Sequence, residues 1–168
     1  MRVFLLTVCF ALVALIAQPG LAVTLDQARK FVLAGDIEAL EIEFQKHQAD
    51  FDTGKIDRDA YTAPYRAFLT THPDAYETTR LWREGHPDSA QAMAARGIQV
   101  AYRAELTRGR THPDNLSEPA LETIGELAEK AVPLLKAALK AQENHIAAAA
   151  WLDLLGALSR QPDLRVAA

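Results

Sequence analysis

The sequence predicts an all-α protein in which a cleaved signal peptide precedes an irregular, tetratricopeptide-like stack of helical hairpins with roughly seven helices. Three observations lead to this prediction. Apolar residues recur at helical spacing along most of the chain. Glycine and proline fall almost entirely between these periodic stretches. Runs of β-branched residues, which favour strands, are scarce.

The first 22 residues have the layout of a secretory signal peptide. Arg2 supplies a positive charge, residues 3–17 form an uncharged apolar run, and the helix-breaking Pro19-Gly20 follows. A membrane-spanning helix needs ~20 apolar residues, and Pro19-Gly20 comes too early for one. We therefore expect cleavage after Ala22 and export to the periplasm or the medium of a bacterium. We expect no stable membrane anchor after cleavage.

Signal cleavage would also change the chemistry of the chain. It would remove Cys9, the one cysteine, so disulfides, thiolate chemistry and cysteine-bound zinc are not expected. The chain has 18 basic and 22 acidic residues, and the loss of Arg2 lowers its net charge of −4 by one unit. Binding to nucleic acid needs clustered positive charge, so we expect no nucleic-acid partner. Residues 23–160 suit a single domain, and residues 161–168 are expected to form a flexible tail.

Capping residues predict where the first two helices begin and end. Thr24 is placed to cap a helix over residues 25–34, which Gly35 would end. Asp36 is placed to cap a second helix that ends near Thr53-Gly54.

The middle of the chain contains a further helical segment and a repeated tripeptide. Residues 57–71 have helical spacing, and Pro64 either kinks this segment or starts a new turn. His-Pro-Asp then occurs at residues 72–74, 86–88 and 112–114. Proline is favoured at the first position of a helix, and an acidic residue beside it suits the positive helix end. The tripeptides are therefore interpreted as helix starts.

These starts divide the second half of the chain. The first copy is expected to open a short helix that ends near Gly85, and the second a long helix from about Ser89 to Arg108. The third begins a loop, after which Ser117 can cap a helix that runs towards Gln142.

The last two predicted helices include a bend and an apolar face. Pro133 is expected to bend the helix that contains it. Asn144 is placed to cap the final helix. The predicted apolar face of that helix comprises Ala147, Trp151, Leu154, Leu155 and Leu158.

The long helix carries a face of small residues: Ala90, Ala94, Gly97, Ala101 and Ala104. A glycine inside a helix costs roughly 1 kcal/mol relative to alanine. Gly97 therefore indicates that another helix approaches closely. Paired helices with small contact residues are typical of tetratricopeptide-type stacks.

One stretch resembles a known family. Trp82-Arg-Glu-Gly-His-Pro-Asp-Ser-Ala-Gln-Ala92, with Tyr102-Arg-Ala104 and Arg108-Gly109, resembles an uncharacterised bacterial family, a domain of unknown function with tetratricopeptide-like helices. Residues 31–68 look similar to the upstream part of that family. The chain departs from the pattern at Glu105, where the family has an aromatic residue. The resemblance implies a fold and no activity.

The sequence contains no recognisable catalytic or metal-binding motif, so we assign no catalytic, cofactor-binding or metal residues and expect no enzyme. His-Pro-Asp also occurs in J-domain co-chaperones, which is an alternative to the helix-start interpretation. A second alternative is a metal site formed by His72, His86 and His112. The helix near Ser117 also carries an acidic stripe, for which a solvated face or paired catalytic carboxylates are the two interpretations. The stripe consists of Glu118, Glu122, Glu126 and Glu129.

Two groups of residues are candidates for contact with a protein or peptide partner. The first is a set of arginines, from which we select Arg96, Arg103 and Arg108; the seven-residue spacing of Arg96 and Arg103 puts them on one helix face. The second is a set of aromatic residues on neighbouring helices, from which we select Tyr65 and Trp82. The full aromatic set is Tyr61, Tyr65, Phe68, Tyr76 and Trp82. The alternatives are arginines that pair with nearby glutamates and aromatic residues that form the core. The full set of arginines is Arg80, Arg83, Arg96, Arg103, Arg108 and Arg110.

The function expected from the sequence is therefore an exported helical module that binds another protein or a peptide. One alternative is an inhibitor or immunity-type protein that acts against a toxin or hydrolase in the cell envelope. Another is an enzyme whose carboxylate or histidine site leaves no motif.

The signal-peptide prediction is tested by the N-terminus of the exported protein. Edman sequencing of protein recovered from the periplasm or medium should read Val23-Thr24-Leu25, because cleavage is expected after Ala22. A chain that begins at Met1 would refute the prediction.

Overall fold

The computed structural model of the protein describes residues 22–159. Residues 1–21 and 160–168, where the predicted signal peptide and tail fall, lie outside the described residues. Within the described range there are α-helices and short 3-10 helices but no strand, so the all-α prediction is confirmed. No described helix is long and apolar enough to span a membrane.

The elements are α1 (Leu25–Ala34), α2 (Ile37–Asp52), α3 (Arg58–Thr62), a 3-10 helix (Ala63–Phe68), α4 (Pro73–Gly85), α5 (Ala90–Arg108), a second 3-10 helix (Pro113–Asn115), α6 (Glu118–Ala141) and α7 (Ile146–Leu158).

The first two helices begin and end at the predicted caps. Thr24 and Gln27 form a reciprocal capping box at the start of α1. Gly35 ends that helix with φ 68°, a left-handed conformation that glycine adopts at low cost. The Asp36 carboxylate accepts the N–H of Ala39, 3.1 Å away, and so caps α2.

The three His-Pro-Asp copies behave in two ways. In the first and third, the Nδ1 atoms of His72 and His112 accept the backbone N–H of the aspartate two residues later, at 3.3 and 3.4 Å. Both histidines are therefore helix caps. Residues 86–88 instead lie ahead of α5, and Ser89 caps that helix by accepting the N–H of Ala92 at 3.2 Å.

The prediction for the start of α7 is wrong by one residue. His145 is the cap, because its Nδ1 accepts the N–H of Ala148 at 3.3 Å. Asn144 is engaged elsewhere, since its amide donates to the Asp52 carboxylate across the fold at 2.6 Å. In the preceding helix, α6 continues without a break through Pro133.

The buried face of α7 also differs from the predicted one. Trp151 and Leu154 are only half-buried, and Leu152 is buried in their place. The reason is that α7 packs against both α5 and α6, which covers a broader arc of the helix than one neighbour would. The predicted residues that are buried are Ala147, Leu155 and Leu158.

Helix α5 is central to the structure, since it contacts α4, α6, α7 and the 3-10 helix Ala63–Phe68. Its predicted small-residue face is buried. A Cβ atom on Gly97 would lie only 2.8 Å from Cγ of Leu135 on α6. The close approach predicted from this glycine is therefore confirmed, and α6 is the helix that makes it.

A cluster of aromatic rings fills the other end of the core. The Phe44 ring lies 5.1 Å from Tyr65, 5.6 Å from Phe68 and 5.6 Å from Trp82, measured between ring centroids. The indole N–H of Trp82 donates to the Glu41 carboxylate at 2.6 Å, so the buried polar group of Trp82 is satisfied.

The contact at Gly97 predicts a difference between two Gly→Ala substitutions. Gly97→Ala should destabilise the protein by about 1–2 kcal/mol, because the clash with Leu135 outweighs the gain in helix propensity. Gly125→Ala in α6 is the matched control, since a Cβ there meets nothing within 4 Å. It should stabilise by up to about 1 kcal/mol. Urea unfolding measures both free energies, and equal effects would contradict the close approach.

Candidate functional site

A cleft of about 450 Å³ lies where α4, α5 and α6 meet. Tyr76 of α4, Arg96 and Arg103 of α5, and Glu126 and Lys130 of α6 provide its aromatic and charged groups. We call it the arginine cleft. Its apolar lining residues are Val100, Leu106, Leu127 and Leu134, and its hydroxyl residues are Thr71, Thr107 and Thr123.

Arg96 is held firmly at one side of the arginine cleft. Its guanidinium carbon lies 3.8 Å from the centroid of the Tyr76 ring, a cation–π contact. Its Nη1 donates to the Tyr76 carbonyl at 3.1 Å and to the Gln99 side-chain oxygen at 3.2 Å. These bonds fix the plane of the guanidinium without cancelling its charge.

Arg103 approaches the same Tyr76 ring, with its guanidinium carbon 5.9 Å from the centroid. Its side chain is exposed. Within residues 22–159, no carboxylate forms a salt bridge with Arg96 or Arg103 at 4.0 Å or less. The two arginines share a helix face, as their spacing predicts. The carboxylate of Glu77 has a lowered pKa, caused mainly by its hydrogen bond with Arg80 and to a smaller extent by the charge of Arg96.

In contrast to Arg96 and Arg103, Arg80 and Arg108 form salt bridges with carboxylates of their own helices. Arg80 pairs with Glu77 at 2.5 Å and with Glu84 at 2.6 Å. Arg108 pairs with Glu105 at 3.3 Å. Arg108 also does not line the arginine cleft. The structure therefore places Arg108 apart from Arg96 and Arg103, and its role in partner contact stays a prediction.

The aromatic candidates for partner contact are corrected. Tyr65 is 3% exposed and Trp82 is 0% exposed, so both belong to the aromatic core. Among the five aromatic candidates, Tyr76 is exposed, with 37% of its area accessible. It lies one helix away from the arginines, and no spacing in the sequence links it to them.

The acidic stripe of α6 is a solvent-exposed face. Glu118, Glu122 and Glu129 are exposed, and Glu126 is exposed at the edge of the arginine cleft. Lys130 follows Glu126 by one helical turn and adds a third cation to the cleft. Lys130 is a site residue that the sequence analysis missed.

The three histidines of the repeated tripeptide do not converge. His72 and His112 are exposed at separate helix starts, while His86 lies 4.0 Å from Glu41 and 3.8 Å from Glu38. Among the described residues there is no group of three or more histidine, cysteine or acidic side chains arranged to hold a metal ion.

A different histidine, His145, lies in a buried polar network. Because its Nδ1 accepts the N–H of Ala148, the neutral ring carries its proton on Nε2, which donates to the Tyr65 hydroxyl at 3.1 Å. Burial lowers the pKa of His145 from 6.5 to about 4, opposed by a backbone hydrogen bond. Beside it, the Tyr61 hydroxyl donates to Gln48 at 2.6 Å. The bond between His145 and Tyr65 joins the start of α7 to the 3-10 helix Ala63–Phe68, and the bond between Tyr61 and Gln48 joins α3 to α2.

The chain matches no protein family, no curated protein and no solved structure. The resemblance to a family with tetratricopeptide-like helices stays a prediction. The candidate site is therefore interpreted from its own geometry.

The low pKa of His145 predicts a loss of stability in acid. The unfolded histidine binds a proton as the pH falls below about 6.5, whereas the folded one does so only near pH 4. The contribution of His145 to the free energy of unfolding should therefore be fully present above pH 6.5. Protonation of the unfolded chain should lower the free energy of unfolding by roughly 2–3 kcal/mol as the pH falls to 4.5. Urea unfolding at pH 7 and pH 4.5 measures the loss.

Two variants isolate the contribution of His145. His145→Gln should lose less stability between the two pH values than the wild-type protein. His112→Gln, at an exposed position, should keep the wild-type difference. If His145→Gln and wild type lose the same amount, the histidine is not neutral in the folded protein.

Proposed function

We propose that the protein is an exported helical module that binds a protein or peptide partner, and that the arginine cleft receives an acidic segment of this partner. The observation that carries the proposal is the pair of guanidinium groups over the Tyr76 ring, which form no salt bridge of 4.0 Å or less with a described carboxylate.

The cations that face the arginine cleft support an anionic ligand. Arg80 and Arg108 pair with carboxylates of their own helices, within a chain of 22 acidic and 18 basic residues. Arg96 and Arg103 nevertheless face a cleft together with Lys130. A carboxylate from a partner would gain charge-assisted hydrogen bonds from guanidinium groups, of which one is already oriented.

The apolar lining supports a peptide as the ligand. Leu106 is 46% exposed in the arginine cleft, beside Val100 and Leu127, which are only 6% and 8% exposed. A peptide can place an apolar side chain on Leu106 and a carboxylate on the arginines at the same time. A small inorganic anion would leave this apolar area uncovered.

Affinity capture from the cell-envelope fraction tests the proposal. Wild-type protein should capture a partner that Arg103→Glu does not, because charge reversal replaces attraction with repulsion. Arg110→Glu is the matched control, since it makes the same charge change at an exposed residue outside the cleft. Arg110→Glu should keep the partner.

Calorimetry on the purified pair then measures the effect. Arg103→Glu should raise Kd by roughly tenfold or more, which corresponds to about 1.4 kcal/mol. The difference should shrink as the salt concentration rises, because exposed charges are screened. If every captured protein binds wild type and Arg103→Glu equally, the proposal is wrong. A tight one-to-one complex with a toxin or hydrolase would identify the module as an inhibitor.

A further inference from the structure

The arginine cleft continues into a longer surface track. A neighbouring hollow of about 370 Å³ shares Thr71, Tyr76 and Arg103 with the arginine cleft. The shared residues place the two spaces side by side at the start of α4. Thr70 lines the same hollow and leads out of it towards the 3-10 helix Ala63–Phe68.

Two further hollows extend the track in that direction. The first, of about 210 Å³, is reached through Thr70 and is also lined by Arg66 and Leu69. Arg66 and Leu69 in turn line a hollow of about 530 Å³ beside Trp151 of α7. Shared lining residues therefore lead from Trp151 to the arginine cleft. We call these four adjacent spaces the track.

The two ends of the track have different chemistry. At the α7 end, half-buried Trp151 and Leu69 lie beside three alanines and form an apolar surface, which we call the apolar seat. The alanines are Ala63, Ala147 and Ala150. At the other end lie the two unpaired arginines and Lys130.

The charges between and around these ends are mostly positive. Arg66 is exposed in the middle of the track and forms no salt bridge with any described residue. Arg29 lines the same section, 3.8 Å from Asp26. The carboxylates that line the track are Asp59 beside the apolar seat and Glu126 at the far end. The charged residues that line the track are therefore mostly cationic, with one carboxylate near each end.

We infer that the track binds one extended peptide segment that carries an apolar side chain for the seat at Trp151 and, further along, acidic residues for Arg66, Arg103 and Arg96. This inference rests on the proposed function and names the kind of partner that the arginine cleft takes. The complementary charges favour an acidic peptide, and the apolar seat distinguishes it from a uniform polyanion.

Two fluorescein-labelled peptides test the track. The short peptide, of about four residues rich in glutamate, spans roughly 13 Å when extended and covers the arginine cleft alone. The long peptide, of about twelve residues, spans roughly 40 Å and adds further glutamates and a terminal phenylalanine. Fluorescence anisotropy with the signal-free full chain should show that the long peptide binds at least about tenfold tighter.

Variants show how much of the affinity comes from the arginine cleft and how much from Arg66 and Trp151. Arg66→Glu and Trp151→Ala should each remove most of the advantage of the long peptide and leave binding of the short one unchanged. Arg103→Glu should weaken both peptides, and Arg110→Glu should weaken neither. Circular dichroism melts check that each variant is folded.

The outcomes separate the two proposals. If the peptides bind with equal affinity and Arg66→Glu has no effect, the continuous track is wrong and the arginine cleft acts alone. If neither peptide binds and the capture experiment yields no partner that depends on Arg103, the proposed function is wrong as well. If polyglutamate without phenylalanine, or anionic phospholipid vesicles, bind as tightly as the long peptide, the inferred bipartite peptide is wrong.

Discussion

The close contact between α5 and α6 at Gly97 is the constraint on which the rest of the structure depends. The missing side chain allows Leu135 to lie where a Cβ atom would clash, and the alanines on the same face of α5 extend this narrow contact. Since one side of α5 is committed to α6, the residues at its border face α4. Arg96 and Arg103 occupy that border and meet the Tyr76 ring. The packing of small residues thereby places two cations in one cleft.

The arginines of α4 and α5 differ in the groups that bind them. Arg80 and Arg108 have carboxylates within a helical turn, which is the arrangement expected for an exposed helix. Arg96 is instead bound by an aromatic face and by neutral oxygens, contacts that hold its position and preserve its charge. A site of this kind loses little side-chain entropy when an anion arrives, because one of its donors is already fixed.

Local features of the fold could be predicted from the sequence because they depend on neighbouring residues. The caps at Thr24 and Asp36, the close approach at Gly97 and the shared face of Arg96 and Arg103 are of this kind. The predictions that were wrong concern residues whose position depends on a contact with a residue far away in the sequence. Asn144 binds Asp52 across the fold, which leaves the cap of α7 to His145. The burial of Tyr65 and Trp82 and the position of Tyr76 likewise depend on helices that are remote in sequence. The candidate site was therefore only partly predictable.

The most direct test of the account is NMR observation of the arginine side chains. The Nε–Hε signals of Arg96, Arg103, Arg80 and Arg108 can be followed while a glutamate-rich peptide is added. The signals of Arg96 and Arg103 should shift together with the ring protons of Tyr76, and the shifts should saturate as peptide is added. Arg80 and Arg108 should stay unchanged, since their carboxylate partners are already in place. Equal shifts at all four arginines, or none at Arg96 and Arg103, would contradict the claim that this pair forms a binding site.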